Sequence, residues 1–362
     1  MTKAVANRLA RLRRRFREKR LDALLVANPG DVGYLSGFTG EDSWLLVACR
    51  SAALLTDGRF IEQAGRECRG VTVVERKAGL ADALADVLHP RRALFRLGFD
   101  AHQTTVTVRR RLARRLSGVR LVETRGWVAD QRMVKDAGER RAVRRAIRVT
   151  EQAFHAFRKA VRLGMTERRL AAELDHRMRL AGADQPAFPT ICAVDAASSM
   201  PHARPGGAKL KRGSVLLVDF GARVGGYVAD LTRVLVAGRI SPRVREVYQV
   251  VLAAQEAAIA RVGPGVALAE VDQAARSVVM AAGFGPAFQH GTGHGIGREV
   301  HEPPALSARA RGRLEPGMIV TVEPGIYLKG RFGIRIEDDV HVTASGRRTL
   351  SRLDRTLEAM VL

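Results

Sequence analysis

Two segments decide the fold: Val215-Leu216-Leu217-Val218-Asp219-Phe220 returning through Tyr227-Val228-Ala229-Asp230-Leu231, and Ile319-Val320-Thr321-Val322-Glu323 returning through Gly333-Ile334-Arg335-Ile336-Glu337. Each is an apolar run of strand-forming residues, a glycine turn near Gly225 or Gly330, and an apolar return. Each carries two acids at similar distances from its turn, Asp219 and Asp230 in the first, Glu323 and Glu337 in the second. The spacing predicts that the two acids of each hairpin lie opposite one another on one face. Like charges opposed in a half-buried sheet are destabilising, so these four carboxylates call for bound cations.

Upstream of each hairpin stands one copy of a divergent repeat. Gly164-Met165-Thr166, then Leu170, Leu174, Met178 and Gly182, recurs 101 residues later as Gly265-Val266-Ala267, then Val271, Ala275, Val279 and Gly283. Each copy predicts a glycine turn, a helix and a glycine stop. Two stacked copies predict the hairpins side by side in one sheet. A long helix precedes the first copy, with Val143, Ile147, Phe154, Phe157 and Val161 on its apolar face.

The N-terminal third alternates strands and helices. Val5, Leu9, Leu12 and Phe16 predict an amphipathic helix over 5–20, with Arg13–Arg15 on its solvated side. Strands are predicted at 23–26, 45–48, 52–55, 71–74 and 97–100, and helices at 59–68, 80–88 and 105–116. The segment 126–136 breaks this pattern and is taken as a boundary. The fold class is therefore α/β (α+β), with domains at 1–128 and 129–362.

Composition bounds the rest. The 362 residues are 46% hydrophobic and 27% charged, enough to bury a full core in each of two domains. The apolar runs fall far short of the ~20 residues a bilayer span needs. The basic start has no apolar signal region, and Cys49, Cys68 and Cys192 form no CxxC pair or disulfide framework. A cytoplasmic protein is expected. The net charge is +24, with only 8 lysines among 61 basic residues. No basic stretch is interleaved with aromatics, so the excess is read as arginine-favouring composition, with nucleic-acid contact limited to non-specific electrostatics.

Histidines cluster in glycine- and proline-marked turns: His202 after Met200-Pro201, then His290-Gly291-Thr292-Gly293-His294-Gly295, then Val300-His301-Glu302-Pro303. The glycine run lacks the Gly-Lys-Ser/Thr of a phosphate loop. Four carboxylates and an imidazole suit a pair of divalent ions with mainly oxygen ligands. Two such ions about 3.5–4 Å apart share a water and make it a nucleophile near neutral pH. Flanking histidines can handle protons or stabilise an oxyanion. The chemistry read from these residues is metal-assisted hydrolysis of an amide-like bond.

The motifs Asp219-Phe220-Gly221, Asp230-Leu231-Thr232-Arg233, His290 to Gly297, Val300-His301-Glu302-Pro303, Thr321-Val322-Glu323-Pro324-Gly325 and Gly333 to Asp338 together resemble the proline-specific metallopeptidases of the creatinase/aminopeptidase P family, the pita-bread fold. Asn28-Pro29, Tyr34 to Glu41 and Leu55 to Phe60 resemble its N-terminal domain. The resemblance implies a creatinase-like α/β domain followed by a pita-bread domain with a pseudo-twofold repeat. It implies metal ligation by Asp219, Asp230, His294, Glu323 and Glu337, with Asp230 and Glu337 bridging. His202 and His301 would contact the substrate at its reacting bond, Glu323 would relay a proton, and Arg335 would organise the site beside the substrate. His290 is left as a structural or supporting residue.

The implied cofactor is two divalent ions per subunit, Mn²⁺ first, with Co²⁺ or Zn²⁺ as alternatives. The implied substrate is a proline-containing peptide, cleaved by an Xaa-Pro aminopeptidase using a metal-bridging hydroxide; the alternative is an Xaa-Pro dipeptidase. A homodimer is implied. Methionine aminopeptidases generally lack such an N-terminal domain, and metal-free creatinase lacks the full ligand set. A non-catalytic paralogue that binds nucleic acid is the alternative of a different class. Arg298 and His341 stand where the family more often has apolar residues.

Overall fold

The computed structural model describes residues 2–88 and 95–362. The chain folds as two compact units, Met1–Gln131 and Arg132–Leu362.

The first unit is built on a mixed six-stranded sheet. Its order is Thr72–Glu75, Ala52–Thr56, Trp44–Ala48, Ala23–Val26, Phe95–Asp100, Val119–Thr124. Ala23–Val26 pairs antiparallel with Trp44–Ala48 and parallel with Phe95–Asp100. It is buried at every position because both faces of the sheet are covered. Leu24 and Val26 enter one core with Leu9, Leu12 and Phe16, while Leu25 enters the other with Leu84, Leu97 and Leu112. The opening helix runs Lys3–Arg14 and then Phe16–Lys19, so the single helix expected over 5–20 is interrupted at Arg15.

Several elements here were not predicted. The helix Pro29–Ser36 starts on the Asn28 side chain, with proline in its first turn. The strand Val119–Thr124 lies beside Phe95–Asp100. The segment 126–136, taken as a break in the pattern, contains the helix Trp127–Met133, whose Trp127 and Val128 are buried in the first core. Two adjacent apolar residues ahead of polar ones give too weak a periodicity to announce so short a helix.

The second unit is a pseudo-twofold repeat. Helices Ala137–Ala160 and Glu167–Leu180 form one pair, Pro242–Arg261 and Leu268–Ala281 the other. Glu167–Leu180 and Leu268–Ala281 start and stop 101 residues apart (268 − 167 and 281 − 180), the offset of the sequence repeat. The turns match bond for bond. Gly164 donates to the Leu210 carbonyl and Leu210 to that of Met165; Gly265 donates to Leu314 and Leu314 to Val266. Gly164 and Gly265 have φ of +86° and +78°, a conformation that a side chain would strain.

Both hairpins form, with two corrections. Asp219 pairs with Thr232 and Phe220 with Leu231, so Asp230 sits diagonally from Asp219 rather than opposite it. In the second hairpin, Val322 pairs with Asp338 and Gly325 with Arg335, a shared register that does bring Glu323 to Glu337. The hairpins also do not share one sheet. The first joins Ile191–Val194 in three strands; the base of the second joins Gly293–Gly295, Glu302–Leu306 and Arg347–Thr349 in five. They meet where the Glu337 N–H donates to the Thr232 carbonyl at 3.3 Å. The ladders break at or beside the acids, at Gly221, at Ala229-Asp230, at Glu323-Pro324 and at Ile336-Glu337. Hydrophobic alternation carries no signal for such breaks.

Candidate metal centre

The acids at these breaks line one cavity of about 520 Å³. Asp219, Asp230, His294, Glu323 and Glu337 share that lining with His202, His290, His301 and Arg335, so every candidate site residue comes to one place. Asp230, His294 and Glu337 can each present a ligand atom within 4.8 Å of the other two. His294 lies on the short strand Gly293–Gly295, where a register shift opens between His294 and Gly295. That bulge aims its ring at the hairpins.

Hydrogen bonds fix how His294 presents itself. Its Nδ1 lies 3.1 Å from the Gly295 carbonyl, which only accepts, so Nδ1 carries a proton. Nε2 lies 3.2 Å from Glu323 Oε1 and 3.7 Å from Asp230 Oδ2. Although burial opposes it, the hydrogen bond to Glu323 and that carboxylate's charge raise the imidazole pKa, so a proton sits on Nε2 where a cation would otherwise lie. A lone pair between carboxylate oxygens is electrostatically unfavourable unless a proton or a cation lies among them. His290 differs. Its Nδ1 lies 2.8 Å from the Gly291 carbonyl and its Nε2 2.8 Å from the Tyr327 hydroxyl, so both ring nitrogens are engaged.

The carboxylates show the same deficit of positive charge. Burial, then repulsion from Glu337 and Asp219, holds the Asp230 carboxyl well above the usual carboxylate range. Burial, then repulsion from Glu323 and Asp219, does the same to Glu337. Burial also raises Asp219, against the opposing charge of Arg335. Glu323 goes the other way. Burial opposes its charge, but the hydrogen bond and charge of His294, aided by His290 and Arg335, bring it down to about 2. Asp219 Oδ1 and Glu337 Oε1 are buried without a hydrogen-bond partner among the described residues. Buried orphan oxygens and raised carboxyls around an imidazole nitrogen aimed at two of the acids are what divalent ions would satisfy in place of the proton, so the residues fit such ions.

Around this centre lies a rigid frame. Arg335 donates to Asp219 Oδ2 at 2.5 Å, to the Tyr327 hydroxyl at 2.7 Å and to Thr232 Oγ1 at 3.1 Å. Thr232 in turn donates to Glu337 Oε2 at 2.7 Å. The guanidinium is thereby committed to protein partners, which makes Arg335 a positioning residue within the cavity wall. The His301 loop is held from behind by Glu302. Its carboxylate accepts from the Arg298 and Glu299 N–H groups, from Arg132 and from Lys135. His301 stacks edge-on against His294 with ring centroids 4.4 Å apart. Burial, then the charge of His294, lowers its pKa.

The sequence reading missed Thr232 and Tyr327. Their signals were present: Thr232 stands two positions after Asp230, and Tyr327 four after Glu323.

Residues 141–344 match the model of metallopeptidase family M24, and residues 8–134 that of the creatinase/prolidase N-terminal domain. The chain belongs to metallopeptidase family M24. The protein is thus a metal-dependent peptidase whose family works with divalent ions. It is similar to a solved structure titled Xaa-Pro dipeptidase from Bacillus anthracis, with 32% identity and a TM-score of 0.94 over 99% of this chain and 100% of that one. An X-Pro aminopeptidase structure from Thermotoga maritima shares 37% identity at a TM-score of 0.88, covering 96% and 100%. A Pyrococcus horikoshii relative named Xaa-Pro dipeptidase is 30% identical over 93% of this chain and 94% of its own length. Among the described residues, no helix of this peptidase is long and apolar enough to cross a membrane.

Proposed function

We propose that this M24 peptidase hydrolyses the bond between an N-terminal residue and a following proline, with Asp219, Asp230, His294, Glu323 and Glu337 holding two divalent ions. Mn²⁺ is the first choice and Co²⁺ or Zn²⁺ the alternatives, since oxygen donors with one imidazole accept all three. The observation that carries this reading is the single cavity containing a charge-deficient donor cluster, in a chain similar throughout to Xaa-Pro peptidases. Bound there, the ions would acidify a water and polarise the scissile carbonyl.

The protein's own groups do the rest. Glu323, ionised through the neutral range, is the acceptor placed to take the proton of the attacking water. His301, neutral near pH 7, can donate a hydrogen bond to the developing oxyanion, and His202 faces the same cavity. Phe188, Pro189, Ile191 and Val300 form an apolar stretch of wall suited to a pyrrolidine ring. Arg335 and Thr232 keep Asp219 and Glu337 in place. Residues 1–128 are assigned as the creatinase-like domain and 129–362 as the catalytic one, in a cytoplasmic homodimer. The nucleic-acid-binding alternative is disfavoured by the complete donor set.

The test is hydrolysis of Ala-Pro and of Ala-Pro-Ala by metal-stripped protein resupplied with Mn²⁺, Co²⁺ or Zn²⁺. Metal-dependent release of alanine from the tripeptide defines an aminopeptidase, the expectation from the sequence. Release from the dipeptide alone defines a dipeptidase, the outcome that one charged residue of the cavity favours. No release from either, by folded protein with any metal, overturns the reading.

A further inference from the structure

The cavity has two guanidinium groups in its lining, Arg204 and Arg335. Arg335 is buried and spent on Asp219, Tyr327 and Thr232. Arg204 is exposed, and among the described residues nothing bonds or pairs with its side chain. Two divalent ions would balance the four carboxylates, and of the two guanidinium groups only that of Arg204 is left without hydrogen-bond partners among the described residues. A lone cation on a cavity wall favours an anionic group of the occupant.

Its backbone, unlike its side chain, is fixed. Pro205 restricts Arg204 to extended conformations. On one side, buried Ala203 donates to the Met200 carbonyl at 3.1 Å. On the other, Gly206 donates to Glu167 Oε2 at 2.6 Å, and Arg168 donates to the Gly206 carbonyl. The second oxygen of the same buried Glu167 accepts from Val194 at 2.8 Å. One carboxylate therefore ties the segment bearing Arg204 to the strand Ile191–Val194, whose Ile191 forms part of the apolar wall. The backbone that carries Arg204 is therefore anchored to the strand that carries Ile191, and both residues line the same cavity.

We infer that Arg204 is a specificity-determining residue that pairs with the free carboxylate of a substrate ending in proline, so that the preferred substrate is an Xaa-Pro dipeptide. The inference rests on the Xaa-Pro reading and deepens it. The guanidinium would engage the carboxylate through paired N–H groups, which an amide cannot match in charge. It touches no reacting atom, so its contribution is to substrate binding.

The experiment compares kcat/KM for Ala-Pro with Ala-Pro-amide, and for Ala-Pro-Ala with its amide, in the Mn²⁺-loaded wild type, R204M and R204K. The expected wild-type preference for Ala-Pro over its amide is about tenfold or more, the scale of a charge-assisted hydrogen bond. In R204M that ratio falls toward one, chiefly through KM, and R204K keeps part of it. A ratio near one in the wild type, or an unchanged ratio in R204M, overturns the inference while leaving the Xaa-Pro reading standing. A carboxylate preference larger on the tripeptide than on the dipeptide overturns the dipeptide assignment. Cleavage of none of the four peptides overturns the Xaa-Pro reading and this inference with it.

Discussion

At the scale of single residues, the centre depends on side chains that never meet a metal. Thr232 passes one hydrogen bond from Arg335 to Glu337, so two buried polar groups hang on one hydroxyl. The isosteric T232V keeps the volume and removes both bonds. Its expected cost is about 1–3 kcal/mol of stability and roughly 10–100-fold in metal affinity. Calorimetric Mn²⁺ titration of the variant checks this; unchanged affinity would mean that Glu337 is held by other means. The acids and histidines were legible in the sequence because chemistry restricts which residues can serve. The places of Thr232 and Tyr327 beside those acids were visible too, but not their roles, because a hydroxyl becomes a relay only through the partners folding gives it.

At the scale of elements, the site is made by breaks in regular structure, and glycines make the breaks possible. A Cβ on Gly221 would stand 1.8 Å from the Ala229 carbonyl oxygen, and one on Gly293 2.0 Å from that of Thr321. These are steric demands for close backbone approach beside Asp219 and His294. G293A must therefore push Gly293–Gly295 off Ile319–Val322. Its expected signature is a lowered melting temperature together with weakened metal binding; a variant with wild-type Mn²⁺ affinity would contradict it. The helices of the repeat were readable from a 101-residue offset, yet the hairpin register was not. Equal spacing from a turn cannot distinguish an opposed pair from a diagonal one, and here each hairpin took a different option.

His341 shows how an unusual strand residue sets pH behaviour. It lies on Asp338–Val342 across from Arg348, and burial, then the charges of Arg140, Arg144 and Arg348, brings its pKa down to about 4. The unfolded chain therefore binds more protons than the folded one between that value and the ordinary histidine pKa near 6.5. Stability contributed by neutral His341 is present above that window and lost as pH falls through it. H341V, which cannot titrate, should melt at a temperature that falls less steeply with acidification over the same range. Parallel melting curves for the two proteins would show that His341 is not responsible.

At the scale of the whole molecule, four carboxylates confront one another in a cavity of the second unit, two of them with strongly raised pKa values. Divalent ions should therefore stabilise the metal-stripped protein. The gain should shrink on acidification, because protons compete for Asp230 and Glu337. Thermal melts with and without Mn²⁺ across about pH 5–8 would check both statements. The two-unit α/β organisation and the pseudo-twofold repeat were legible because apolar periodicity and an internal repeat survive in one sequence. The separation of the hairpins into two sheets was not, since it follows from which strands pair and where the ladders break, and apolar alternation marks neither. The most direct test of the central claim is the rate of Ala-Pro hydrolysis as Mn²⁺ is added stepwise to metal-stripped protein. The account predicts no cleavage without metal, a rise on addition, and saturation near two equivalents per chain. Cleavage undiminished in the stripped protein, or none at any metal load, would contradict it.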